Sequence, residues 1–181
     1  MTEILQKDAD VLREIAKPVE KEMFGTSKLK KIIDDMSKAL ASQSDGVALA
    51  APQIGVSLRM FIVSGTVFEL IDPDNKHNET ESGSETETKP DLVFINPSIV
   101  KLSQEKEIME EGCLSVRPLY GNTKRSKKAR VRAQDINGKA FELGGSGLLA
   151  QIFQHEYDHL DGILFIDHAT DLHDMPPPVK K

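Results

Sequence analysis

The segment Leu148-Leu149-Ala150-Gln151-Ile152-Phe153-Gln154-His155-Glu156-Tyr157-Asp158-His159-Leu160 is apolar on too many sides to lie on a surface. It is predicted to form a helix that begins after Gly144-Gly145, takes Ser146 as its N-cap and stops near Gly162. Such a helix is buried in the middle of a domain, so the rest of the chain must fold around it. It also carries His155 and His159 four residues apart, which places both imidazoles on one face. The string is the H-E-x-x-H pattern, in which two imidazoles share a metal ion and the intervening carboxylate, here Glu156, reaches a water on it. The alternative is two surface histidines on a charged helix, which the apolar flanks disfavour.

The other elements are consistent with one core around that helix. At 181 residues and 20.0 kDa, with 39% hydrophobic and 29% charged residues, the chain suits a single compact domain. Apolar residues Leu29, Ile32, Ile33, Met36, Ala39 and Leu40 recur at spacings of three and four, predicting an amphipathic helix over 27–42. Met60-Phe61-Ile62-Val63 and Leu92-Val93-Phe94-Ile95 read as neighbouring strands. Two more are expected at 129–133 and 139–143, with Asn137-Gly138 turning between them. The expected class is α+β: mixed or antiparallel strands packed around the central motif-bearing helix. The domain is expected to span 1–168, with a flexible tail at 169–181 that includes Met175-Pro176-Pro177-Pro178-Val179-Lys180-Lys181.

The net charge of −6 is confined to one place. Residues 69–91 hold eight acids and two bases, while the remainder balances. That stretch reads as an exposed acidic loop inserted between two strands, more simply a tolerated insertion than a binding loop. The one basic cluster is Lys124, Arg125, Lys127, Lys128, Arg130 and Arg132; a solvated strand face is favoured over a contact with ribosomal RNA, and DNA binding is not expected. Arg125 is a candidate partner for Glu111. No apolar run is long enough for a spanning helix, and the acidic N-terminus lacks the pattern of a signal peptide. A cytoplasmic location is expected, or an organelle if a transit peptide has been removed.

Two histidines need a third ligand. One extension of the motif places a histidine where Phe165 stands here, after Gly162. Another uses a downstream glutamate, yet beyond His159 the acids are Asp161, Asp167, Asp171 and Asp174. The remaining candidate is Cys113, the single cysteine, in Glu110-Glu111-Gly112-Cys113-Leu114-Ser115. A lone thiol is by default a small buried hydrophobe. Beside a two-histidine motif that lacks a ligand, coordination becomes the better reading, and Zn²⁺ and Fe²⁺ both suit a thiolate with two imidazoles.

Three ordered strings now carry a family resemblance: Gly46-Val47-Ala48-Leu49-Ala50-Ala51-Pro52-Gln53, Glu111-Gly112-Cys113-Leu114-Ser115 and Gln154-His155-Glu156-Tyr157-Asp158-His159. Together they resemble the motifs of peptide deformylase. Similarity extends to Asp10-Val11-Leu12-Arg13-Glu14-Ile15-Ala16-Lys17-Pro18-Val19 and to Gly162-Ile163-Leu164-Phe165-Ile166-Asp167. The resemblance implies metal-dependent removal of the formyl group from N-terminal formyl-methionine of nascent chains, releasing formate. It implies one divalent ion on Cys113, His155 and His159, Fe²⁺ ahead of Zn²⁺ or Ni²⁺. Glu156 would move the proton, and desolvation would have to raise its pKa for that task. The Gln53 side chain and the Leu114 N–H would steady the oxygen that gains charge.

The same resemblance assigns substrate contacts to Val47, Ala48, Met109, Gly112, Leu148 and Ile152, with Val47, Met109, Leu148 and Ile152 forming the methionine pocket. Three positions depart from the family pattern. Ala48 stands where glycine is usual, which would matter if the backbone there needed φ > 0. Gln151 replaces an aliphatic residue at the pocket. Leu119-Tyr120-Gly121-Asn122 replaces a stretch that often holds an arginine. A monomer is expected, with no membrane contact. Two rival readings are a metallopeptidase with Cys/His/His ligation and a non-catalytic metal-binding relative that holds peptides.

Overall fold

The computed structural model describes residues 2–71 and 89–175. Helix α1 is Ser27–Ala41, and it starts where Thr26 Oγ1 accepts a hydrogen bond from Leu29 N–H. Strands β1 (Ala48–Ala50) and β2 (Met60–Val63) follow, then the short helix α2 (Gly65–Ile71). Next come β3 (Leu92–Leu102), β4 (Lys106–Gly112), β5 (Leu119–Ser126), β6 (Lys128–Gln134) and β7 (Ala140–Ser146). Helix α3 is Leu148–Leu160, and β8 is Thr170–Asp174.

One sheet has the order β1-β2-β3-β6-β7 and the other β4-β5-β8, with every strand pair antiparallel. The five-stranded sheet lies between the two long helices. On one face Phe61, Val63, Phe94 and Val131 pack with Ala150, Phe153 and Leu160 of α3. On the other, Met60, Ile62 and Ile95 pack with Leu29, Ile33, Met36 and Leu40 of α1. The unbroken apolar run of β2 follows from this, because successive residues serve opposite faces and both are covered. Phe61 stacks on Phe94 at a centroid distance of 4.6 Å, and Phe153 meets Phe94 edge-on at 5.4 Å. Those contacts seat α3 against the sheet.

The α+β class and the central helix match the expectation from sequence. The strand pairs 60–63 with 92–95 and 129–133 with 139–143 also form, Met60 lying opposite Ile95 and Val131 opposite Leu143. Three local readings are corrected. Ser146 does not cap α3: it is the last residue of β7, opposite Lys128 in the ladder. The N-cap is Gly147 at φ 54° and ψ −128°, a conformation open to glycine that lets the chain pass from strand to helix without a linker. Within the expected tail, Thr170–Asp174 forms β8, which pairs with β5 through Tyr120 and His173 among others, while residues 176–181 lie outside the described residues. The acidic stretch begins inside α2, and residues 72–88 lie outside the described residues. Among the described residues no helix is long and apolar enough to cross a membrane.

Candidate metal centre

Helix α3 supplies three of the side chains, and its burial sets their character. His155 and His159 project from successive turns, with their imidazole centroids 4.9 Å apart, and Glu156 follows His155 directly. The chain leaving β4 brings Cys113 to them, and its Sγ lies 3.2 Å from His159 Nε2. One donor atom each from Cys113, His155 and His159 falls within 4.8 Å of the others. Just before it, Gly112 lets β4 close against β5, since a Cβ there would collide with the Tyr120 ring.

Charges behind the cluster fix its position. Glu111 is almost fully buried and accepts two hydrogen bonds from Arg125, Nε to Oε1 at 2.6 Å and Nη2 to Oε2 at 3.0 Å, as anticipated from sequence. The same guanidinium reaches Asp158 Oδ2 on α3 at 2.7 Å, so Arg125 ties the cysteine strand to the histidine helix. Glu111 Oε2 also lies 3.1 Å from His155 Nδ1, which leaves the other nitrogen of that ring for a ligand. Burial alone would push the Glu111 carboxyl up, but hydrogen bonds from His155 and Arg125 outweigh it and hold the group well below the usual carboxylate range. Gln154 adds a second tie, accepting from Ser126 N–H and donating to Ser126 O.

Glu156 is the odd member of the group. Burial pushes its carboxyl up to about 7, against an opposing pull from His155. Its Oε2 is sealed from solvent and has no partner among the described residues, and the same holds for His159 Nδ1. Burial likewise holds His159 well below the ordinary imidazole value, so it is neutral and able to ligate. For His155 burial opposes the charge, yet the Cys113 and Glu111 hydrogen bonds raise it well above that value. One thiol and two imidazoles converging on one point form a donor set that suits a divalent cation.

Gln53 sits in the single turn Ala51–Ile54 and is only 2% exposed. Its Oε1 accepts from Ala50 N–H at 2.8 Å, which orients the amide so that Nε2 donates to Ser115 Oγ at 3.0 Å and lies 3.6 Å from Cys113 Sγ. The Leu114 N–H has no acceptor among the described residues. Ala48 lies in β1 with ordinary extended backbone, opposite Val63, so its methyl imposes no strain there.

These groups open on a cleft of about 200 Å³. Val47, Ala48, Gly112, Leu114, Leu148 and Ile152 line it beside Gln53, Cys113, His155 and Glu156. Met109 does not: it lies three residues before the strand ends, on the half-buried side of β4, away from the lining. Sequence reading also missed Asp45, Glu110, Arg117 and Tyr120 in the lining. Arg117 Nη2 meets Asp45 Oδ1 at 2.5 Å, so a guanidinium stands at the cleft although 119–122 has none. No periodicity could have paired residues 72 positions apart. The basic cluster is largely answered by acids: Lys127 pairs with Glu105, Arg130 and Arg132 with Glu142, and Arg125 turns inward.

The family described as polypeptide deformylase matches residues 1–175. A peptide deformylase of Bartonella quintana is 42% identical over 160 residues, covering 88% of this chain and 79% of that protein. A crystal structure of a peptide deformylase from Legionella pneumophila superposes with a TM-score of 0.75 at 38% identity, covering 94% of this chain and 87% of that one. The Met-Ala-Ser-bound class I type b peptide deformylase of Acinetobacter baumannii gives a TM-score of 0.76 at 30% identity, covering 93% and 99%.

Proposed function

The chain belongs to the polypeptide deformylase family, enzymes that remove N-formyl groups with the help of a metal, and we propose that Cys113, His155 and His159 hold that metal here while Glu156 moves the proton. The observation that carries this assignment is the convergence of one thiol and two imidazoles within 4.8 Å beside a buried carboxyl whose Oε2 has no partner among the described residues. Three protein donors are the number a catalytic centre of this kind employs. When bound, the ion supplies Lewis acidity that lowers the pKa of water toward about 7. The donor set admits Fe²⁺, Zn²⁺ and Ni²⁺, and Fe²⁺ is proposed as the resident ion.

Glu156, with a pKa pushed up to about 7, takes a proton from the attacking water and returns it to the departing amine nitrogen. Gln53 Nε2 and the Leu114 N–H donate to the formyl oxygen as it gains charge, and one such donor contributes roughly 3 kcal/mol. The Gln53 amide is already aimed, because Ala50 holds its oxygen. Val47, Leu148 and Ile152 receive the methionine side chain, and the backbone near Ala48 and Gly112 aligns the peptide. The enzyme is proposed to act as a cytoplasmic monomer on formyl-peptides.

Formate release from formyl-Met-Ala by anaerobically prepared protein tests the assignment. Glu156→Ala is expected to keep its metal and lose nearly all turnover, and Cys113→Ser to lose tight metal binding. Full activity of Glu156→Ala would remove that residue from the mechanism.

A further inference from the structure

Gln151 lies one helical turn before His155, four residues back, on the face of α3 that carries the two histidines. It lines the cleft between Leu148 and Ile152, yet it is only 9% exposed. Its Nε2 donates to Glu110 O at 2.8 Å, which fixes the amide plane. Its Oε1 has no partner among the described residues, and unlike Glu156 Oε2 it is not sealed from solvent, on a residue that lines the cleft. The wall formed by Val47, Leu148 and Ile152 is therefore interrupted by one anchored hydrogen-bond acceptor.

Methionine offers such an acceptor nothing, because a thioether has no donor. An apolar side chain lying over Oε1 strips its water and leaves it unpaired, whereas a side chain ending in N–H satisfies it. We propose that Gln151 sets specificity at the first residue of the formylated peptide, widening acceptance from methionine to neutral donor-bearing side chains of similar length, such as glutamine. The inference rests on the deformylase reading of this cleft and on Val47, Leu148 and Ile152 receiving that side chain.

The test compares kcat/KM on formyl-Met-Ala, formyl-norleucine-Ala and formyl-Gln-Ala for the metal-loaded wild type, Gln151→Leu and Gln151→Met. Turnover of formyl-Met-Ala by the wild type checks the deformylase reading by itself; the ratios between substrates check the role of Gln151. The wild type is expected to process formyl-Gln-Ala at least as well as formyl-norleucine-Ala. Both variants are expected to shift the norleucine-to-glutamine ratio toward norleucine by about ten-fold or more. A ratio within one preparation is independent of the folded fraction, so a poorly folding variant still reports. Wild type that prefers norleucine over glutamine by more than about ten-fold, or ratios unchanged in both variants, would overturn the proposal.

Discussion

Arg125→Ala should loosen the metal centre without touching a ligand. The Arg125 side chain is 8% exposed and that of Glu111 3%, with two hydrogen bonds between them and a third from Arg125 to Asp158. Removing the guanidinium leaves the Glu111 carboxylate buried with only His155 beside it, and uncovering one partner of a buried pair costs about 3–5 kcal/mol. Asp158 is partly exposed and can take up water, so the lower end of that range applies. For a chain of this length each kcal/mol lowers Tm by roughly 2–4 °C, so a drop of about 10 °C is expected. His155 also loses the fixed carboxylate behind it, which should weaken metal affinity about 10- to 100-fold.

The assay is a thermal melt of metal-free protein together with chelator competition on the loaded form. The double variant Arg125→Met with Glu111→Met separates the causes. If the cost lies in the stranded carboxylate, the double variant should melt no lower than Arg125→Met alone, because the uncompensated charge has gone. A single variant that melts within 2 °C or so of the wild type and keeps its metal equally well would refute the bracing role.

Other outcomes follow from the same geometry. Gln53→Ala is expected to lower kcat about 10²- to 10³-fold while KM changes little, since the amide acts on charge that develops during reaction; steady-state kinetics on formyl-Met-Ala check this. Ala48→Gly should give no gain in kcat/KM, because β1 is extended and unstrained at that point, and should cost about 0.5–1 kcal/mol in a denaturant melt. A clear rise in activity would show that the methyl obstructs the peptide. Phe153→Ala removes the ring that seats α3 on Phe61 and Phe94 and should destabilise by about 3–5 kcal/mol, read from the urea midpoint at unchanged slope.

The parts of this fold that could be read from sequence are those where one physical demand dominates a short stretch. Helix α3 was legible because burial on several sides and the four-residue histidine spacing act on the same thirteen residues. β2 was legible because both of its faces are covered. By contrast, every side chain of β8 is exposed, so the strand is held by backbone pairing with β5 and leaves no pattern in the residues. Ser146 looked like a cap because its hydroxyl could serve as one, but the β6–β7 ladder claims its backbone.

The site shows the same division. His155, Glu156 and His159 are local, and Cys113 could be reached by elimination and by resemblance; the Arg125–Glu111 pair rested on the order of the motifs. Met109 was assigned to the methionine pocket by that resemblance, yet it is absent from the cleft lining although it shares a face of β4 with Glu111, two residues nearer the site. The Asp45–Arg117 pair needs the folded path of both chain segments, and so does the burial of Gln53.

The central claim is that sulfur from the end of β4 and two imidazoles from α3 share one cation. X-ray absorption at the metal edge of the loaded protein tests it directly. The expected spectrum, for a Zn²⁺-loaded sample, has one sulfur scatterer at about 2.3 Å and nitrogen or oxygen scatterers at about 2.0–2.1 Å, with the sulfur shell lost in Cys113→Ser. A loaded wild type with only nitrogen and oxygen neighbours would contradict it.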